Sequence, residues 1–246
     1  LEAYSRPKRG GIIAVKLRED DELVDVVISK PGDEVVLATS GGMAIRFKES
    51  DARPMGRNTS GVKGISLTGD DELVGMVIVD PEETLLTICA NGYGKRTLFG
   101  PHATTTETES STTDDMSSSN RYRTQRRGGK GIRDIKTTKR NGKVVGIARV
   151  NDEDEVLMMT TGGKLQRMAV GEISIIGRNT QGVRIMSLGD KDQLAAVVRV
   201  PREEATNGTQ DEPTGDDSGD ETGASSETIP DATTNPSETD SPEAEN

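Results

Sequence analysis

Gln125-Arg126-Arg127-Gly128-Gly129-Lys130-Gly131 gathers three fixed positive charges and three glycines into seven residues. The chemistry this suggests is phosphate binding. Arginine meets phosphate oxygens with a two-pronged fork of N–H donors, and glycine lets a backbone approach another surface closely. A glycine-rich entry to a strand, with its basic residues simply solvated, is the competing reading, and basic clusters do not exclude it. Other chemistry finds little support. His102 is the only histidine, and no nucleophile motif or metal-ligand spacing accompanies it. Cys89, the single cysteine, lies in the apolar run Leu85-Leu86-Thr87-Ile88-Cys89-Ala90, where a buried, inert thiol is expected. A lone cysteine also excludes a disulfide framework and suits a reducing, cytoplasmic setting. A stand-alone enzyme is therefore not expected.

The elements that would position the cluster are short and repeated. Ile12-Ile13-Ala14-Val15-Lys16, Leu23-Val24-Asp25-Val26-Val27-Ile28, Val35-Val36-Leu37-Ala38-Thr39 and Met43-Ala44-Ile45-Arg46-Phe47 are rich in β-branched residues. Turns rich in Gly, Asp and Pro separate them, so they predict four strands, with a hairpin at Ser40-Gly41-Gly42. The pattern returns after 50 positions, where Asp20-Asp21-Glu22-Leu23-Val24 becomes Asp70-Asp71-Glu72-Leu73-Val74. A third copy follows after 71 more, with Gly162-Gly163 at the hairpin, and a half copy closes at residues 178–200. Three and a half copies of a four-strand unit predict an all-β, propeller-like array of blades, a β-pinwheel, over residues 1–102 and 121–202.

Two stretches stand outside the repeats. Residues 103–120 hold one large apolar residue, Met116, and residues 203–246 hold one, Ile229, with four prolines. Neither can bury enough surface to offset chain ordering, so disorder is predicted for the insertion and for the acidic tail. The net charge of −11 conceals an uneven distribution. Fourteen of the 42 acidic residues and none of the 31 basic ones lie in 203–246, which leaves 31 against 28 in the body. A basic body with an acidic tail suggests a polyanion binder, the tail serving either as a plain solubiliser or as a competitor for the basic surface. No run of about 18 apolar residues offers a membrane span.

These residues resemble a known family. Residues 125–131 read as a complete gyrase-A box. Arg53-Pro54-Met55-Gly56-Arg57, Asn91-Gly92-Tyr93-Gly94-Lys95-Arg96-Thr97 and Gly177-Arg178-Asn179-Thr180-Gln181-Gly182-Val183-Arg184 are further phrases of the C-terminal domain found in the A chains of bacterial DNA gyrases. The resemblance implies a six-bladed β-pinwheel that wraps DNA, within an ATP-hydrolysing type II DNA topoisomerase that introduces negative supercoils. It implies the gyrase B protein as partner in an A2B2 assembly, with ATP and Mg2+ used by that partner and no cofactor in this stretch. The remaining blades and the breakage domain with its catalytic tyrosine would then lie before Leu1. The family's principal box stands in the first blade, whereas this one lies in the last full repeat. The corresponding C-terminal domain of topoisomerase IV, or a propeller used for protein docking, are the alternatives.

Basic residues recur at equivalent repeat positions. Arg46 and Lys48 follow the first hairpin, Lys95 and Arg96 the second, Lys164 and Arg167 the third; Arg57 matches Arg178, and Lys63 matches Arg184. With Gln125, Arg126, Arg127, Gly128, Gly129, Lys130 and Gly131, they form the expected track for double-stranded DNA. No groove-reading helix supplies base contacts, so binding is expected to ignore sequence. Removing Arg126, Arg127 and Lys130 together is expected to flatten the salt dependence of binding by about three phosphate contacts.

Overall fold

Short apolar runs, buried along their whole length in β1 and β4, resolve the repeats into eleven strands in a computed structural model, which describes residues 4–102 and 121–201. The predicted disordered stretches at 103–120 and 203–246 lie outside the described residues. In chain order the strands are β1 (Glu34–Thr39), β2 (Met43–Lys48), β3 (Leu73–Ile78), β4 (Thr84–Cys89), β5 (Tyr93–Leu98), β6 (Ile132–Arg133), β7 (Val144–Val150), β8 (Glu155–Thr160), β9 (Leu165–Ala169), β10 (Val183–Arg184) and β11 (Leu194–Val200). The three hairpins β1–β2, β4–β5 and β8–β9 are antiparallel and turn at the predicted glycine pairs or Asn91-Gly92. Gly42 and Gly92 sit at φ +82° and +78° in these turns, a region that glycine enters without steric cost.

No repeat builds a sheet alone. The first sheet runs β3-β1-β2-β6, the second β10-β5-β4-β7, and the third β11-β8-β9. Each hairpin takes its inner neighbour from the following repeat and, in the first two sheets, a two-residue outer neighbour from the repeat after that. Consecutive repeats are thus stitched by hydrogen bonds as well as by packing. Val36, Ala38 and Ala44 of the first sheet share a core with Leu85, Phe99 and Tyr122. Leu86 and Ile88 of the second share another with Val156 and Met158 of the third.

This stitching corrects two strand expectations. Residues 12–16 and 23–28 form no strand, although the counterparts of the second stretch at 73–78, 144–150 and 194–200 do. Those counterparts pair with the hairpin of the repeat before them. No such hairpin precedes residue 23 among the described residues, so the segment gains no ladder and Ile13, Leu23, Val26 and Ile28 stay exposed. Intrinsic β propensity does not make a strand without a partner.

The recurring Asp phrase has a structural task. Asp71 accepts hydrogen bonds from the Gly41 N–H and the Ser40 hydroxyl, and Asp192 from the Gly162 N–H and the Thr161 hydroxyl. Each clamps the hairpin turn of the preceding repeat. Burial pushes the Asp71 carboxyl up, but hydrogen bonds from Thr39, Gly41, Ser40 and Glu72 outweigh it and hold the group below its usual value.

Candidate nucleic-acid interface

The box loop is shaped by its neighbours in the fold. The Gln125 N–H donates to the Arg46 carbonyl at 2.7 Å, and the Gly128 N–H to the Gly64 carbonyl at 2.7 Å. Ser66 answers by donating its N–H to Gly129 and its hydroxyl to Gly128. Gly131, at φ +76°, lies so close to β2 that a Cβ there would stand 2.4 Å from the Ala44 carbonyl oxygen. The close approach that the glycines permit is therefore to the protein's own first sheet. That contact fixes the loop and leaves Arg126 and Lys130 exposed, with no carboxylate partner among the described residues.

Arg127 does something else. It donates to the carbonyls of Lys63 and Asp51. Its equivalents Arg57 and Arg178 donate to the carbonyls of Ile13 and Arg133, the matching positions one repeat earlier. One arginine per repeat is a staple between neighbours, so Arg127 is not the free phosphate donor expected of it.

Three further members of the expected track are buried. Arg46 is 1% exposed, Lys95 0% and Arg96 4%. Arg46 pairs with Glu34 and donates to the carbonyls of Phe99 at 2.7 Å, Tyr122 at 3.0 Å and Pro101 at 2.8 Å. Arg96 pairs with Asp152 and donates to the Ile173 carbonyl. Lys95 Nζ lies 2.6 Å from an Asp134 oxygen and also bonds Thr97. These cations are committed to carboxylates and carbonyls inside the protein, and a phosphate outside cannot reach them. Arg167 occupies the Arg46 position in the third sheet, where no later described segment covers it. It stays 62% exposed and pairs with Glu155. Lys63, Lys164 and Arg184 are exposed, and Lys48 is half-buried.

Sequence reasoning missed Arg133, which is exposed two residues after the box and shares a cleft with Lys130, with Asp71 and with the Lys143–Asp70 ion pair. Its match to Arg184, one repeat on, was the signal that could have found it. It also missed Asp134, fully buried and accepting hydrogen bonds from Lys95, from the Thr87 hydroxyl at 2.7 Å and from the Tyr122 hydroxyl. Burial, with the Asp134 charge beside it, raises the Tyr122 hydroxyl well above its ordinary value. Cys89 is buried as expected, and burial with the Asp134 charge pushes its thiol up to about 12. Among the described residues no group of three or more His, Cys, Asp or Glu side chains could hold a metal, and no helix is long and apolar enough to cross a membrane.

Glu34 carries a pH prediction. Burial raises its carboxyl, but hydrogen bonds from Thr124, Arg46 and His102 outweigh that and leave it below its ordinary value of 4.5. A carboxyl lowered by folding contributes stability that is present above 4.5 and lost as pH falls through the folded value. Glu34→Gln is expected to melt lower at neutral pH, where it strands Arg46, and to lose less on acidification below 4.5. Parallel melting-temperature profiles for the two chains would contradict this.

The repeat register also emerges in comparison with known proteins. The family model described as DNA gyrase C-terminal domain, beta-propeller, matches residues 1–30, 33–80, 117–151 and 154–201. The chain belongs to this family. The DNA gyrase A protein of Salmonella typhimurium is 37% identical over 200 residues, which are 81% of this chain and 20% of that protein. The chain thus spans about a fifth of the length of the curated relatives it matches. A solved DNA gyrase A C-terminal domain matches with TM-score 0.63 at 28% identity, covering 78% of this chain and 58% of that one. The C-terminal domain of DNA topoisomerase IV matches with TM-score 0.68 at 21% identity, covering 81% and 57%, a likeness of fold alone. As a member of the gyrase family, the chain keeps the all-β repeat architecture read from its sequence.

Proposed function

We propose that this chain binds and wraps double-stranded DNA as the C-terminal region of a gyrase A protein. The observation that carries the reading is the exposed Arg126 and Lys130 on a loop fixed by backbone hydrogen bonds, with exposed Arg133 on the adjoining β6 and none of the three in an ion pair among the described residues, in a chain of this family. Bending 20–30 base pairs by 40–90° costs on the order of 1–6 kcal/mol, so several modest contacts spread over successive sheets suit wrapping better than one tight site. Contacts to phosphate alone make binding independent of sequence and steeply dependent on salt. Within the complete enzyme the wrap would present a second DNA segment for strand passage and so bias the reaction toward negative supercoils. In this reading the breakage tyrosine lies elsewhere in the gyrase A protein. The gyrase B protein is the partner in an A2B2 assembly and uses ATP and Mg2+, and the setting is cytoplasmic.

The test titrates unrelated duplexes of equal length against the chain at several salt concentrations, and relaxes nicked-and-sealed plasmid in its presence. Equal affinities, a steep salt slope and trapped supercoils are expected. Binding confined to one sequence, or no change in plasmid linking number, would overturn the proposal.

A further inference from the structure

Two guanidinium groups converge on one phenol hydroxyl at the outer edge of the second sheet. Tyr93 begins β5, with its side chain 5% exposed. Arg184 stands directly across from it on β10, and Arg140 reaches it from the loop between β6 and β7. Arg140 Nε donates to the Tyr93 hydroxyl at 3.2 Å, and an Arg184 terminal nitrogen donates at 3.0 Å. The guanidinium carbons lie 4.9 and 5.4 Å from the ring centroid, within cation–π range. The hydroxyl oxygen thus spends both lone pairs on the arginines. Its own proton finds no acceptor among the described residues.

Neither cation is neutralised. Arg46, Arg96, Arg149, Arg167 and Arg199 all pair with carboxylates, whereas Arg140 and Arg184 pair with none among the described residues. Both are exposed, and each has most of its five N–H donors unspent. Nor is the geometry an accident of loose side chains. Asn141, fully buried, fixes the Arg140 loop by donating to the carbonyls of Lys136 and Gln181 and accepting from the Thr138 N–H and hydroxyl. Asn91 donates to the carbonyls of Lys139 and Arg140. Hydrogen bonds from the two guanidiniums hold the Tyr93 hydroxyl below its usual value.

Two like charges fixed around a neutral hydroxyl, with spare donors and an unspent O–H, form a cradle that an anion completes. Phosphate fits because a guanidinium meets its oxygens in pairs. We infer that Tyr93, Arg140 and Arg184 seat one backbone phosphate of duplex DNA. The inference rests on the DNA-wrapping reading and adds a second station to it. Arg184 faces Tyr93 in the second sheet as Arg133 faces Met43 in the first, and Arg133 lies two residues after the box. DNA held at the box would meet the seat one sheet further on. The hydroxyl is particular to that sheet, since Met43 and Lys164 occupy the Tyr93 position in the other two repeats.

The test measures duplex binding by fluorescence anisotropy between 50 and 200 mM salt, using the whole chain and three variants: Tyr93→Phe, Arg140→Ala and Arg140→Ala with Arg184→Ala. The double variant is expected to reduce the salt slope by about 0.9, the loss of one phosphate contact, and the single arginine variant by less. Tyr93→Phe removes no charge, so it should keep the slope and weaken binding several-fold by freeing the arginines. Melting curves check that each variant folds. An unchanged slope in a folded double variant, with the parent chain binding normally, overturns the seat. A parent chain that binds no duplex overturns the wrapping reading instead. If the double substitution abolishes binding of inorganic phosphate in a calorimetric titration but leaves duplex binding intact, the site takes free phosphate and the inference fails.

Discussion

A chain carrying Arg126→Ala and Lys130→Ala is expected to bind every duplex more weakly, with a salt slope reduced by about two. Each released phosphate contact removes about 0.9 from that slope, and these two side chains are the exposed cations of the box without a carboxylate partner among the described residues. Adding Arg127→Ala should not bring the third contact expected from the sequence. Its guanidinium is engaged by the carbonyls of Lys63 and Asp51, so its loss lowers the melting temperature and leaves the slope nearly unchanged. The measurement is a plot of log binding constant against log salt for the parent, the double and the triple variant. A slope that stays at the parent value in the double variant would remove the box from the DNA path. A further full unit lost in a well-folded triple variant would restore Arg127 as a phosphate contact.

The second large effect is expected at the centre of the fold. Asp134→Ala leaves the Lys95 ammonium, 0% exposed, without its counter-charge, and also strips an acceptor from Thr87 and Tyr122. Breaking a buried ion pair on one side typically costs about 3–5 kcal/mol, because the remaining charge is stranded in a medium that cannot solvate it. That is a large share of the roughly 5–15 kcal/mol typical of a folded domain. Replacing both partners, Asp134→Ala with Lys95→Met, removes the stranded charge and should recover much of the loss. Denaturant unfolding of the parent, the two single variants and the double variant supplies the cycle. If the double variant is as unstable as the sum of the singles, Lys95 and Asp134 do not act as a pair. The consequence reaches the proposed DNA site, since Tyr122 and Asp134 flank the box on either side. Loosening that bond should weaken DNA binding without altering the salt slope.

Much of the architecture is legible in the chain because it is written locally. The glycine pairs of the hairpin turns, the β-branched runs on either side and the 50-residue return of the Asp phrase all depend on neighbouring residues. They located all three hairpins and the register of the repeats. The phrases of residues 91–97, 125–131 and 177–184 carried the family likeness for the same reason. Even the Asp phrase was found before its task was known, because recurrence needs no account of what Asp71 and Asp192 clamp.

What stayed hidden is whatever depends on distant segments meeting. Recurrence at Arg46, Arg96 and Arg167 suggested three equal charges on one track, yet two are buried and one is exposed. The difference is made by segments far along the chain. Carbonyls of residues 99–101 and of Tyr122 close over Arg46, the Ile173 carbonyl closes over Arg96, and no described segment closes over Arg167. The same holds for residues 23–28, which have the composition of a strand but lack the hairpin that would pair with them. Arg140 and Arg184 stand 47 and 91 residues along the chain from Tyr93, and no pattern in the chain joins the three. Periodicity records which residues share a local environment within a repeat. Whether a charge there meets water, phosphate or a buried carboxylate is set by the repeat that folds over it, because desolvation and pairing energies belong to the contact and not to the residue.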